Sequence, residues 1–577
     1  MTNPSSYSGW TRRRWLTQQG LLATAFALRS HRLRNGPASH ARGGAHGKIL
    51  STAQLAARAT RLDPVPWQAL AQHAVDVAHA AGVQYVDARL TRVVVHRYNF
   101  RGGIGSADER VGIGVRALVG GYWGFSASAV VTHDEAVRLG QDAVAQAREN
   151  AKGTPWTVEL GHVPPAMGHW ATPVRIDPFT ISFEEKEDLF NYWYQCALVA
   201  GVDYVRDGTT SWACFVRHER VVATSEGALF TQTVYESGGA LHCVLYNAQG
   251  GELARQDVHN VSMAGVGWER FLDAKIPEQY PQIKEELKQK GAILSKPAPI
   301  GQYPLVCDGA TMAALVQETL GLATQLDRAL GYEANAGGTS FIDDPLAQVG
   351  HLSVAAPMVT LTANRSTPMD LATIQWDDEG VAPQPFTLVK NGVLTDFQTT
   401  REQAAWLAPY YQRTGRPVQS HGCAAAEDAH GIPLQMMPNF VLEPSPAAIG
   451  VADMVSDITE GILVEDGTIL QRDSQARTGV LTGTLRQIRN GRLGAYLQGG
   501  AILYNAPELW THVRAVGGAA TQQVCGYSRY LNDPDMLWFL LHGLLGKGEP
   551  LQRTSNSVRA VAATIAKQAL INPLRKA

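Results

Sequence analysis

The most constraining feature of the sequence is the stretch from Tyr303 to about Gly526, which consists of short apolar runs separated by glycine-bearing turns. Runs of this length, bounded by glycine, are typical of strands rather than helices. One helix is predicted within the stretch, from Ala310 to Leu330. The 56 glycines and 29 prolines of the 577-residue chain favour the same interpretation. We therefore expect an α+β protein with a large β-rich C-terminal domain.

The N-terminal half shows helical and strand-like patterns in alternation, which predicts an α/β domain. The predicted helices are Pro66–Ala81, Thr132–Asn150, Phe183–Val199 and Trp268–Gly291. Strands are predicted at Tyr85–Tyr98, twice around a glycine turn within Asp108–Phe125, and between Tyr204 and Val261, whereas Gly153–Pro178 looks like a connector. The expected division is a leader at 1–48, an N-terminal domain at 49–180, a central domain at 181–298 and a C-terminal domain at 299–577.

The N-terminus resembles an export signal. Arg12, Arg13 and Arg14 precede a short apolar run, Gly20–Leu28, which fits a twin-arginine leader but is too short to span a bilayer. Basic residues from Arg29 onward stand where a cleavage site would lie, so a disordered basic leader is the alternative. The expected location is extracytoplasmic if the leader is functional, and cytoplasmic otherwise.

Several classes of function have no support in the sequence. The net charge is −2 and no long basic run occurs beyond the N-terminus, so nucleic acid is not an expected partner. The six cysteines are scattered without a CxxC pair, which argues against a disulfide framework and a cysteine-rich zinc module. There is no GxSxG serine elbow, and no phosphate loop follows the glycine-rich segments.

A series of colinear segments spans the chain from about residue 55 to 555. The segments are Gly112–Arg116, Gly121–Phe125, Trp170–Pro178, Gln325–Phe341, Asp377–Val381, Leu388–Val393 and Gly546–Pro550. Together they resemble the TldD/PmbA family of bacterial metallopeptidases, and we identify the chain as a member of it. The resemblance implies a zinc-site helix in the C-terminal domain, written His-Glu-x-x-x-His, and a later cysteine ligand. In such sites zinc lowers the pKa of its bound water to about 7, and the glutamate acts as general base.

The sequence departs from that pattern at the residues that would bind zinc. The motif positions read Gln317-Glu-Thr-Leu-Gly-Leu322, so glutamine and leucine replace the two histidines. The stretch Gln552–Ala563, where the family has its cysteine, contains none. Glu318 remains at the general-base position, as a vestige that we expect to pair with an arginine. No metal or cofactor is expected, although active members of the family use zinc.

Other residues could in principle restore a site. No two of the 17 histidines lie four or five residues apart, so any rescue would need distal residues such as His351, His421 or His542. Cys423 is expected in a loop, and Cys525 lies upstream of the family's cysteine position.

The geometry of the motif adds two expectations about the helix. Residues five apart on a regular helix point about 140° apart, so the site requires a local distortion, for which Gly321 supplies flexibility. Leu322 is expected to fill the volume that the metal once occupied.

Three functions remain open from the sequence. The first, which we favour, is a catalytically silent subunit that binds a peptide or an unfolded protein segment, or regulates another family subunit in a homo- or hetero-oligomer. The second is an active zinc metallopeptidase with relocated ligands. The third is a purely structural envelope protein.

Overall fold

The structure is a computed structural model that describes residues 63–99, 105–153, 158–204, 212–246, 252–258, 261–293, 295–335, 337–531 and 554–571. The predicted leader, His542 and the Gly546–Pro550 match lie outside the described residues. Within them the fold is a mixture of helices and a larger share of strands, so the predicted α+β class is confirmed. In the described part of the chain, no helix is both long and apolar enough to cross a membrane.

The first half of the chain is built on one six-stranded sheet whose strand order is β3-β2-β1-β6-β7-β4. Two helices, α1 and α2, pack on this sheet through small buried side chains such as Ala74 and Ala143. The elements are α1 (Pro64–His79), β1 (Tyr85–Asn99), β2 (Gly105–Val119), β3 (Tyr122–Ser128), α2 (His133–Asn150), β4 (Met167–Ala171), α3 (Phe183–Ala200), β5 (Asp203–Tyr204), β6 (Trp212–Thr224) and β7 (Leu229–Ala240).

The local sequence explains where these helices begin and the hairpin turns. The side chains of Asp63, Thr132 and Ser182 accept hydrogen bonds from backbone N–H groups in the first turns of α1, α2 and α3. Gly120 and Gly121, both with positive φ, form the predicted turn between β2 and β3.

Two expectations for this half are wrong in detail. The segment 153–178 is more than a connector, because Met167–Ala171 forms the edge strand β4 beside β7. The charged helix predicted from Trp268 to Gly291 is two helices, α4 (Glu269–Asp273) and α5 (Ile276–Ala292). They are separated by Lys275, whose φ of 45° ends the first helix.

The sheet also takes strands from both sides of residue 180, where the sequence analysis placed a domain boundary. A small three-stranded sheet of β5, β8 (His242–Tyr246) and β9 (Glu252–Asp257) lies beside α5.

The C-terminal half contains two larger sheets around the main hydrophobic core. The first, of eight strands, has the order β10-β20-β19-β18-β11-β25-β21, with β22 paired to β25; the second, of six strands, has the order β14-β13-β12-β17-β24-β23. Their strands are β10 (Ser295–Pro297), β11 (Gly301–Cys307), β12 (Leu361–Asn364), β13 (Phe386–Lys390), β14 (Val393–Leu394), β15 (Ala424–Ala425) and β16 (Leu434–Gln435) as a separate pair, β17 (Asn439–Leu442), β18 (Glu460–Arg472), β19 (Thr478–Arg489), β20 (Arg492–Gln498), β21 (Ala501–Asn505), β22 (Val513–Val516), β23 (Gln523–Tyr527), β24 (Asn556–Ala560) and β25 (Ala563–Ile571).

The helices of this half are short. They are α6 (Gly309–Glu318), α7 (Leu320–Ala323), α8 (Leu326–Leu330), α9 (Pro345–Gln348), α10 (Arg401–Trp406), α11 (Ala408–Arg413), α12 (Val451–Ser456) and α13 (Ala506–Thr511). The single helix predicted from Ala310 to Leu330 is therefore three helices, α6, α7 and α8.

The 377–381 motif, which the sequence analysis matched to the family, joins the two halves of the molecule. Asp378 forms a buried ion pair with Arg220 on β6 and lies 3.6 Å from Arg89 on β1. Glu379 pairs with Arg116 on β2 at 3.1 Å. Because both carboxylates come from the C-terminal half and all three arginines from the first sheet, this motif fixes the two halves against each other.

Candidate functional site

The candidate site is the C-terminal end of α6, the helix that carries Gln317 and Glu318. Its N-terminus is capped by Asp308, whose side chain accepts from the N–H of Thr311 at 2.8 Å. Every residue of α6 is buried, and the helix packs against β18, β23 and β24. A helix so enclosed holds its last turn in a fixed position relative to these strands.

Gln317 faces Asn556, the first residue of β24, and the two side-chain amides bond to each other. Gln317 Nε2 donates to Asn556 Oδ1 at 3.1 Å, and Asn556 Nδ2 donates to Gln317 Oε1 at 2.9 Å. Both residues are fully buried. Asn556 belongs to the stretch in which the family has its cysteine. The first histidine position of the motif is thus occupied by a buried amide that is hydrogen-bonded to a second buried amide.

Glu318 bonds to Arg472 at the end of β18. The distance from Arg472 Nε to Glu318 Oε2 is 2.7 Å, and the two side chains are only 14% and 10% exposed. The predicted pairing of Glu318 with an arginine is therefore present. The carboxylate that would act as general base is thus an acceptor in a charge-assisted hydrogen bond.

The helix is interrupted directly after Glu318, between the two motif positions. Thr319 has φ −124° and ψ −87°, which separates α6 from α7. Its hydroxyl accepts from Trp510 Nε1 at 2.8 Å, and Gln398 Nε2 donates to the carbonyl of Gly321 at 2.6 Å. The expected distortion is present, but it lies at Thr319 rather than at Gly321.

Gly321 serves close packing instead of flexibility. A Cβ added there would lie 2.9 Å from the ring of Phe440 and 2.9 Å from the carbonyl of Val316. Leu322, one residue later, is buried in the main core together with Leu315, Leu320 and Leu326. An apolar side chain thus occupies the second histidine position of the motif.

These residues do not fit a zinc ion. Zinc sites in proteins use imidazole nitrogen, thiolate sulfur or carboxylate oxygen. The two histidine positions of the motif hold a neutral amide bonded to Asn556 and a leucine, and the carboxylate between them, Glu318, is bonded to Arg472. In the described part of the chain, no group of three or more His, Cys, Asp and Glu residues has the arrangement needed to hold a metal. His351 is exposed, and His421 bonds to Asp396 at 2.9 Å.

The two cysteines that the sequence analysis singled out are poor nucleophiles. Cys423 lies fully buried in a loop just before β15, and burial raises the pKa of its thiol to about 12. Cys525 lies on β23, and burial likewise raises the pKa of its thiol to about 12. Both thiols are protonated at neutral pH, so neither is an activated nucleophile.

Sequence reasoning missed Asn556 and Arg472 as members of the site. Asn556 lies 239 positions along the chain from Gln317, and Arg472 lies 154 positions from Glu318. The sequence pointed to Asn556 only in that it lies within 552–563, the stretch in which a cysteine ligand was expected. No pattern in the sequence pointed to Arg472.

The sequence matches known proteins over both halves. The model of the PmbA/TldA metallopeptidase domain 1 matches residues 86–151, and that of the PmbA/TldA metallopeptidase C-terminal domain matches residues 300–537. A metalloprotease of Methanocaldococcus jannaschii is 22% identical over 373 residues, which are 64% of this chain and 73% of that protein. A metalloprotease of Methanothermobacter thermautotrophicus is 24% identical over 368 residues, 64% of this chain and 72% of that protein.

Solved structures share the fold. TldE from Thermococcus kodakarensis has a TM-score of 0.59 at 13% identity and covers 87% of this chain and 99% of its own. A putative modulator of a DNA gyrase from Thermotoga maritima has a TM-score of 0.59 at 14% identity and covers 88% of this chain and 100% of its own.

Proposed function

Because the chain belongs to the TldD/PmbA metallopeptidase family, we propose that it is a zinc-free member of that family, which binds a peptide segment or regulates a family partner without cleaving peptide bonds. The observation that carries this proposal is the buried amide of Gln317, which stands at the first histidine position of the motif and bonds to the amide of Asn556. A metal ion there would have to break both of these hydrogen bonds and would gain only weak, neutral oxygen ligands.

The ion pair between Glu318 and Arg472 supports the same proposal. A general base next to zinc must accept a proton from the metal-bound water. Here the carboxylate is bonded to Arg472 at 2.7 Å, and the neighbouring Leu322 offers no ligand. The surroundings of this carboxylate are those of a structural ion pair.

The C-terminal sheet offers a way to bind an extended peptide without a metal. Among the described residues, β23 is the last strand of its sheet and pairs only with β24. It also contacts the site helix, because the side chain of Gln523 accepts from the N–H of Ala310 at 2.6 Å. An open strand edge can take up a peptide as an additional strand through backbone hydrogen bonds. We therefore place the peptide along β23.

The partner of such a subunit is another family member. The fold shared with TldE of Thermococcus kodakarensis supports an assembly in which a zinc-bearing subunit supplies the chemistry and this chain supplies binding or regulation. We propose that the leader exports this assembly from the cytoplasm. Deletion of residues 1–48 tests the location, because an unchanged distribution of the protein between cell fractions would contradict export.

A peptidase assay tests the absence of cleavage. The purified full-length chain, with and without added zinc, is incubated with a quenched fluorescent peptide library, beside a Glu318→Gln variant that keeps the size of the side chain. We expect the two proteins to give the same background signal and a chelator to change neither. Turnover that a chelator abolishes and that Glu318→Gln lacks would show an active metallopeptidase and contradict the proposal.

A further inference from the structure

A pocket of about 480 Å³ opens on the C-terminal domain beside β13 and the loop that follows α11. Its volume lies within the range of small-molecule binding sites. Three of its lining residues can carry positive charge, namely Lys390, Arg416 and His421, and none of its lining residues is Asp or Glu. The pocket is therefore electrostatically suited to an anion.

A buried carboxylate behind the pocket fixes two of these side chains. Asp396 is fully buried and accepts from the Tyr411 hydroxyl at 2.7 Å, from His421 Nε2 at 2.9 Å and from the Arg416 guanidinium. The His421 ring also stacks on Phe386, with the two planes 4° apart and the centroids separated by 3.9 Å. Arg416 and His421 are thus held in place before a ligand arrives, which lowers the entropy lost on binding.

Arg416 and His421 have hydrogen-bonding atoms without a partner in the described part of the chain. Arg416 donates one N–H to the carbonyl of Thr395 and another to Asp396, so three of its five donors have no partner in the described part of the chain. Its side chain is 33% exposed. Nδ1 of His421 is buried without a hydrogen-bond partner among the described residues, and Lys390 stands exposed at the rim. A buried polar atom without a partner requires a physical explanation, of which a bound group is one.

We propose that this pocket binds a small carboxylate with an apolar or aromatic body. The planar guanidinium of Arg416 matches the geometry of a carboxylate, and Asp396 offsets only one of the positive charges. The side chains of Tyr410 and Pro417 extend the apolar wall of the pocket beside Phe386. The ligand is either a free carboxylic acid or the C-terminal carboxylate of a peptide, since both present the same group. This inference does not depend on the function proposed above.

Calorimetric titration of the full-length chain tests the proposal with two matched pairs of probes. Benzoate is compared with benzamide, and N-acetyltyrosine is compared with N-acetyltyrosinamide. Each acid is expected to bind roughly tenfold or more tightly than its neutral amide, which corresponds to the loss of one charge-assisted hydrogen bond. Stronger binding of benzoate identifies a free acid as the ligand, and stronger binding of N-acetyltyrosine identifies a peptide C-terminus.

Variants locate the binding in this pocket. Arg416→Gln is expected to weaken binding of the acids roughly tenfold, and Lys390→Gln about threefold, because Lys390 is exposed at the rim and more strongly screened. Lys288→Gln removes the same charge from the exposed face of α5 and should have no effect. Lys390 has a solvated side chain, so its variant keeps the fold even if Arg416→Gln does not. The proposal is overturned if neither acid binds, if the amides bind equally well, or if Lys390→Gln binds like Lys288→Gln.

Discussion

The buried amide pair of Gln317 and Asn556 should be energetically coupled, and a double-mutant cycle measures that coupling. Gln317→Met and Asn556→Leu replace each amide by an apolar side chain of similar shape. Either single variant removes the two hydrogen bonds between the amides, of 2.9 and 3.1 Å, and leaves the other amide buried opposite an apolar group. Asn556→Leu also removes the bond that Asn556 Oδ1 accepts from the Thr554 hydroxyl at 3.4 Å. Two net hydrogen bonds of about 1 kcal/mol each, together with the desolvation of the remaining amide, predict a loss of about 2–4 kcal/mol for each single variant.

The double variant should lose less than the sum of the single variants. With both amides replaced, neither amide remains opposite an apolar side chain, so we expect a total loss of no more than about 2 kcal/mol. The coupling energy is then at least about 2 kcal/mol. Hydrogen exchange of the segment 309–323, measured by mass spectrometry beside urea unfolding, reports the free energy of opening of this helix. Additive effects, with a coupling below about 0.5 kcal/mol, would refute the paired geometry.

Three further variants probe the ion pairs and buried carboxylates. Arg472→Met removes the cation beside Glu318 and should destabilise the chain by about 2 kcal/mol in urea unfolding, with Glu318→Gln in the same background restoring part of the loss. Burial raises the pKa of Glu402 to about 7. The contribution of this carboxyl to the stability of the wild-type chain should therefore fall as the pH rises from about 4.5 to about 7. Glu402→Gln should be more stable than the wild type at pH 8 by up to about 3 kcal/mol. Burial alone would raise the pKa of Asp378, but Arg220 and Arg89 lower it below its usual value. The stabilisation that this carboxylate gives the folded chain is therefore present above about pH 4 and lost on acidification below that. Asp378→Asn should make the melting temperature less dependent on pH in this acid range.

Each of these three predictions has an outcome that contradicts it. A wild-type stability for Arg472→Met would show that the ion pair does not hold the helix end. Parallel pH profiles for wild type and Glu402→Gln would place the Glu402 carboxyl in water. An unchanged pH dependence of the melting temperature in Asp378→Asn would mean that the 377–381 motif does not fix the two halves of the molecule.

Regular local patterns were sufficient to predict most of the N-terminal elements. The helix predicted at Thr132–Asn150 is found at His133–Asn150 with Thr132 as its cap, and the strand predicted at Tyr85–Tyr98 is found at Tyr85–Asn99. Both depend on periodicity and capping, which are properties of neighbouring residues. The Phe183–Val199 helix ends within one residue of its predicted boundary for the same reason.

The features that the sequence did not predict depend on contacts between residues that are far apart along the chain. The break after Glu318 is stabilised by Trp510 and Gln398, which lie far along the chain from Thr319 and Gly321. The motif positions themselves, Gln317 and Leu322, were identified through the resemblance to the family. What replaced the ligands was not predictable, because Asn556 and Arg472 reach the helix only when β24 and β18 assemble around it. Export by the leader remains a prediction.

Zinc content per chain decides whether this family member is free of zinc. The full-length protein is purified without a histidine tag, and its metal content is measured beside a variant that carries Gln317→His, Leu322→His and Asn556→Cys. We expect less than about one zinc per ten wild-type chains, and a gain towards one per chain when imidazole and thiolate donors are introduced. Near-stoichiometric zinc in the wild-type chain would contradict the proposed zinc-free state, because the paired amides and Leu322 could not be its ligands.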